Sequence, residues 1–315
     1  MVRLLSIFVL LVVAASPAAA ESAKPGPGAD LRGAKLAGAD LSGKDLRGAN
    51  LTGADLSGAK LVGADLREAY LRETIAAGAD FSKANLGNAD LTRADLREAN
   101  FRGAMLALAT LDVARVEGAN FAGAFLPGVT AQKVRGAGAD FSGAFMPDVD
   151  LRQSVFRGAK FAGADMGSRG LAHPGPNGSK LKGIDLTNAT LTGANLMNAV
   201  LVDAILNGAD FSDARMGWVD MSWARAKGAK FANADLSWAR GYGVDFTGAG
   251  FMGARLVLTQ LTGARMRDTD FSGCLLDGVD MTQAELSGAR FAKARIVAVN
   301  VRASRGVPDE LKGSR

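Results

Sequence analysis

The sequence predicts an all-β fold: a four-sided parallel β-helix, or solenoid, of about thirteen coils, interrupted by one loop near residues 167–180. Three observations carry that expectation. Every fifth position from Leu31 to Val301 holds a core-type residue with no slip of frame, and 49 of these 55 sites are Leu, Phe, Met, Ile or Val. The position two residues earlier is Ala at 38 of the 55 sites, so a small residue precedes each large one. Phe recurs at the large site every twenty residues, at 81, 101, 121, 141 and 161 and again at 211, 231, 251, 271 and 291.

The unit is clean in Ala54-Asp55-Leu56-Ser57-Gly58. Four such units complete a coil, because only a twenty-residue circuit stacks Phe on Phe. The large residue points into a narrow tube, and the Ala slot must be small because two large side chains per side would not fit. Gly fills the last slot of about half the units, where corners need backbone freedom. Coils pair through backbone amides about 4.8 Å apart, which makes a rod roughly 60 Å long.

Six large sites are weak. Ala131 and Gly136 are each preceded by Val in the small slot (Val129, Val134), which is expected to return the missing volume. Nothing in the sequence compensates Ala226 or Gly241. The Asp/Asn slot points outward. In the second half it reads Arg225, Asp245, Arg265, Glu285 on one face and Arg215, Asp235, Arg255, Leu275, Arg295 on another, an alternation that predicts cross-coil ion pairs.

The step from Phe161 to Phe211 is fifty residues, two and a half coils. The segment 167–180 departs most from the pattern: Arg169 and Pro174 stand in small slots, Pro176 in a large one, and Asn177-Gly178 is a turn pair. About ten residues leaving the coil here as a loop would put Leu191 in the Phe column.

These units resemble the pentapeptide repeat family, whose repeat is A-(D/N)-L-x-x, over nearly all of residues 29–302. The resemblance implies a right-handed, four-sided β-helix. It implies no single function, since one fold hosts many.

Outside the repeats, Arg3, the apolar stretch 4–15 and Ala18-Ala19-Ala20 read as a Sec-type signal peptide over residues 1–20. The stretch is too short to span a bilayer. Residues 21–28 read as a flexible lead-in, 29–166 and 181–302 as the two solenoid halves, and 303–315 as a basic tail or cap. The expected location is periplasmic or secreted. Residues 288–315 hold seven Lys/Arg against Asp309 and Glu310, so the net charge of +5 sits at the C-terminal end and the body is near neutral.

No catalytic, cofactor or metal site is expected. His173 is the only histidine and Cys274 the only cysteine, the latter in a small slot as a buried thiol. Two features exceed the repeat background. Trp218, Trp223 and Trp238, with Tyr242, occupy or adjoin corners where Gly is usual, and suit a sugar ring or a protein partner unless they only pack on neighbours. Arg290, Lys293, Arg295, Arg302 and Arg305 form a basic end that meets a polyanion or discourages end-to-end stacking of open β edges. Phe125 and Phe145 form a second aromatic pair, each followed by Pro two residues later.

The expected role is a non-enzymatic exported scaffold contacting an envelope protein or a polyanionic or glycan component, as a monomer or an end-to-end dimer. Nucleic acid is not an expected partner. Two alternatives stand beside it: a DNA-mimicking topoisomerase-binding protein, which calls for an acidic cytoplasmic rod that this chain is not, and an enzyme built on the His173 loop.

Overall fold

The computed structural model describes residues 24–168 and 178–313. The chain winds as a right-handed, four-sided coil in which each side carries one bridging residue. In one coil these are Arg215, Asp220, Arg225 and Lys230, and the four sides are named after them below. On the Arg215 side, three successive coils lengthen into formal strands near the C-terminal end: β1 (Arg255–Val257), β2 (Leu275–Asp277) and β3 (Arg295–Val297), parallel and in order β1-β2-β3.

Why five residues repeat is visible in the backbone donors of one unit. Ala54 N–H donates to the Leu51 carbonyl and closes a turn. Asp55 N–H reaches back one coil to Ala34, while Leu56 and Gly58 reach forward to Ile75 and Ala77. Ser57 N–H has no backbone acceptor, and Asp55 Oδ1 takes it at 3.0 Å. Every donor is therefore satisfied. The Asp/Asn slot is structural: its side chain closes an Asx turn over the corner.

Away from the added residues, where Ser168 and Gly178 are exceptions, the last residue of each described unit has φ near +60° whether or not it is Gly. Asn88, Asn188, Asn198 and Asn233 tolerate that conformation; Val113 and the three Trp residues are held in it by the pairing on both sides.

Bridges join residues twenty apart along the first half, from Asp30↔Asn50 onward. Four consecutive bridges then join residues thirty apart: Asp150↔Lys180, Val155↔Asp185, Lys160↔Thr190 and Asp165↔Asn195. The step of twenty resumes at Lys180↔Val200. Ten residues are thus added once, between Ser168 and Lys180. Residues 169–177, on which most of the expected loop falls, lie outside those described.

The core is a column of rings and aliphatic chains. Phe81, Phe101, Phe121, Phe141 and Phe161 stack at 4.6–4.9 Å with nearly parallel planes. Phe211 to Phe291 continue at 4.7–5.1 Å, and buried Leu191 stands between the two runs. Phe161 N–H donates to Thr190 and Leu191 N–H to Asp210, so the column is continuous.

The weak sites are compensated along the axis rather than within the unit. A Cβ on Gly136 would lie 2.2 Å from the ring of Phe156, one coil on, so Phe156 and not Val134 takes the space. Phe156 packs edge-on against Phe141 and Phe161. Gly241 is filled by Leu261 and Val244. Beyond Ala226, Phe246 packs edge-on against Phe231 and Phe251. Around Ala131 the filling is incomplete: an apolar cavity of about 20 Å³ remains, lined by Val129, Val134, Phe141 and Phe156 among others.

Both ends differ from the boundaries the repeat suggests. Gly28, in the segment read as lead-in, already donates to Arg47. The ladder extends past residue 302 to Arg305, which bridges Glu285. A 3₁₀ turn at Asp309–Leu311 then buries Leu311, which closes the end of the core. No helix among the described residues is long and apolar enough to cross a membrane.

Candidate interaction surface

The four aromatic residues fall on two neighbouring edges of the rod. Trp218 and Trp238 follow the Arg215 side, at its corner with the Asp220 side. Their rings stack at 4.7 Å with planes 6° apart; Trp218 is half-buried and Trp238 exposed. Leu258, also exposed, continues this edge one coil further. Trp223 stands at the other corner of the Asp220 side, 63% exposed. A Cβ on Gly243 would lie 2.3–3.0 Å from its six-membered ring, so the indole lies flat over that glycine. Tyr242, at the same corner, donates its hydroxyl to Gln260 Oε1.

All three Trp residues have φ between +61° and +64°. A bulky side chain in that region is strained, and the strain is borne by the surrounding pairing. Trp223 N–H donates to Tyr242 O, and Trp238 N–H to Val257 O. Corner packing and exposure coexist here: each ring rests on a neighbour and keeps solvent-facing surface.

The basic end is less concentrated than its sequence. Arg290 is paired with Asp270 at 2.8 Å. Lys293 sits at a corner of one side, Arg295 in β3, and Arg302 and Arg305 on other faces, all exposed. They ring the end of the rod without converging on a single site.

The charge ladders pair in part. Arg265–Asp245 and Arg255–Asp235 stand at 3.9 Å, whereas Glu285 turns to Arg267 rather than Arg265. Arg215 instead directs a guanidinium nitrogen to Met197 Sδ at 3.4 Å. Within units, Arg32, Arg47, Arg67, Arg97 and Arg152 clasp the Asp two residues before them at 2.6 Å. The side-chain hydrogen bond from Arg47 holds Asp45 down to about 2, and that from Arg32 does the same for Asp30.

Cys274 is buried and donates its thiol to Phe251 O. Burial pushes its pKa up to about 12, so it is a thiol, not a thiolate, at neutral pH. Ser154, Thr259 and Thr269 make the same bond from the same slot to a carbonyl one coil back. His173 lies outside the described residues.

Phe125 and Phe145 stack at 5.2 Å on the Arg215 side. Pro127 and Pro147 explain why Phe is allowed where Asp is usual. Proline has no N–H, so no Asx acceptor is needed two residues earlier. Exposed Met105 and Leu108 extend this patch and were not singled out by sequence reasoning. The signal was available: Leu108, Gly128, Asp148, Asn198, Trp218, Trp238 and Leu258 share one corner once ten residues are set aside after Ser168.

A sequence model of pentapeptide repeats matches eight times, over residues 29–67, 64–103, 77–112, 137–167, 179–217, 220–256, 254–292 and 264–300. Among curated proteins no significant match is found. Among solved structures the chain is similar to HetL, a pentapeptide repeat protein involved in heterocyst differentiation regulation from the cyanobacterium Nostoc. Identity is 24%, over 81% of this chain and 86% of that one, with a TM-score of 0.27. It is also similar to QnrB1, a plasmid-mediated fluoroquinolone resistance protein, at 17% identity over 65% of this chain and 90% of that one, TM-score 0.29. A pentapeptide repeat protein of the Arabidopsis thaliana thylakoid lumen matches at 26% identity over 35% of this chain and 72% of that one, TM-score 0.14. With repeats matched over most of its length and a donor scheme that closes every five residues, the chain belongs to the pentapeptide repeat family.

Proposed function

We propose that this protein is a non-enzymatic, exported rod that acts as a rigid scaffold in the cell envelope and holds another envelope component against its surface. The observation that carries the reading is the set of exposed aromatic side chains: Trp223 and Trp238, kept in strained corner positions by the coil, and Tyr242 beside them. Strained, exposed aromatics on a rigid support suit recognition, because little ordering is lost on binding. Many Asp side chains of the described faces are engaged in Asx turns and Arg–Asp pairs, which hold them in structural roles. The signal-like residues 1–20 place the protein beyond the cytoplasmic membrane in this reading.

Envelope extract passed over the immobilised protein tests it, with a Trp218→Ala plus Trp238→Ala variant alongside. Retention of a defined component by the first and at least tenfold less by the second is expected. Equal retention removes the Trp edge, and recovery of the protein from the cytoplasm alone removes the location.

A further inference from the structure

We propose that the Asp220 side, over the coils from about 216 to 263, is a trough that binds an extended glycan with one sugar ring per coil. The proposal deepens the scaffold reading and rests on it only for the ligand being within reach.

The rims and the floor differ in chemistry. One rim carries Trp218, Trp238 and Leu258, and the other carries Trp223 with Tyr242. The edge beyond the Arg225 side bears Gly208, Gly228 and Gly248 at the same level, so the aromatic rims are particular to this face. The floor is polar: Asp220, Arg240 and Gln260 follow one another on successive coils. Arg240 is exposed and its guanidinium makes no hydrogen bond or ion pair with the described residues, although Asp220 is its bridge partner. Gln260 takes the Tyr242 hydroxyl on its oxygen, which leaves its amide N–H groups to donate.

A pyranose ring has just these two needs. Its C–H face stacks on an aromatic ring, and its hydroxyls take planar amides, carboxylates and guanidinium groups. The six-membered ring of Trp223 packs over Gly243, and the residue remains 63% exposed. Coils advance by about 4.8 Å, close to the step of an extended β-1,4-linked glycan, so each sugar meets an equivalent coil. Asp220 Oδ1 already accepts from Ser222 N–H; a protein partner would have to bury the Arg240 guanidinium and provide a partner for it, a costly desolvation, whereas sugar hydroxyls supply that partner directly.

Titration of the purified protein with the β-1,4-linked cellohexaose, chitohexaose and hexamannuronate, read by Trp fluorescence and calorimetry, tests the proposal. At least one is expected to bind with a dissociation constant below the millimolar range. Trp238→Ala and Gly243→Ala, the second displacing Trp223 without removing it, should each weaken binding at least tenfold. Phe125→Ala, on another face, should leave it unchanged, and a single cooperative unfolding transition, well above the assay temperature, shows that the variants fold. Failure of all three glycans, undiminished binding in both trough variants, or occupation of the trough by a second copy of the chain overturns the proposal. Glycan failure with extract binding intact sinks this proposal alone; cytoplasmic location with glycan binding intact sinks only the scaffold's placement.

Discussion

At the scale of the residue, the repeat is a solution to donor accounting. Four of the five amides in a unit find backbone carbonyls, and the fifth is taken by the Asp or Asn two residues earlier. Asp55→Ala should therefore cost about 1 kcal/mol, while Asp55→Asn, which keeps the acceptor, should cost almost nothing; denaturant titration separates them. Arg47 by its side-chain hydrogen bond holds Asp45 at about 2, and Asp65 and Asp95 lie below the ordinary carboxylate range for the same reason. Their pKa values are lower folded than unfolded. The stability they contribute is present above about pH 4 and is lost as the pH falls toward 2. The denaturation midpoint should drop through that window and stay level from pH 5 to 7; a flat profile below pH 4 would mean these pairs do not matter. Cys274 should resist alkylation at pH 8 in the folded protein and react once it is unfolded.

At the scale of the element, each corner imposes a left-handed residue, and the sequence obeys this only in part. Val113, β-branched and exposed, has φ of 63°. Val113→Gly should stabilise the rod by ~0.5–1 kcal/mol, a gain readable as a raised unfolding midpoint. Between coils, Gly136 and Phe156 act as a pair. Gly136→Ala should cost about 1–3 kcal/mol by overpacking, and Phe156→Ala about 3–5 kcal/mol by opening a cavity. The two together should cost less than their sum, because the Ala methyl enters vacated space. The five-residue frame, the four-sided coil and the ten extra residues were all legible in the sequence, since each follows from a period. The filling of Gly136 and Gly241 was not, because it comes from Phe156 and Leu261 twenty positions on, and for Gly241 also from Val244 three positions on, rather than from the residue two before. The Asx-turn role of the outward Asp slot was not legible either: side-chain acceptors for a backbone amide leave no trace in hydropathy. Of the surface, the Trp corners were legible as departures from Gly. Their placement on the two edges that flank one face was not, since it appears only when edges are assigned coil by coil.

At the scale of the molecule, one added stretch of ten residues decides which features meet. It brings the corner of Leu108 and Gly128 into line with that of Trp218 and Trp238, and it keeps the Phe column unbroken through Leu191. The rod is nearly neutral along its body, with positive charge distributed around a closed C-terminal end. Recognition by this protein is accordingly assigned to its sides. All of that depends on the jump in register. Lys160 and Thr190 are bridge partners on exposed surface, at a spacing suited to a disulfide, whereas Lys180 is on the opposite side of the coil. In a Cys274→Ala background, Lys160→Cys with Thr190→Cys should oxidise rapidly to an intramolecular disulfide, and Lys160→Cys with Lys180→Cys should not. Ready closure of the second pair, or failure of the first, would contradict the arrangement.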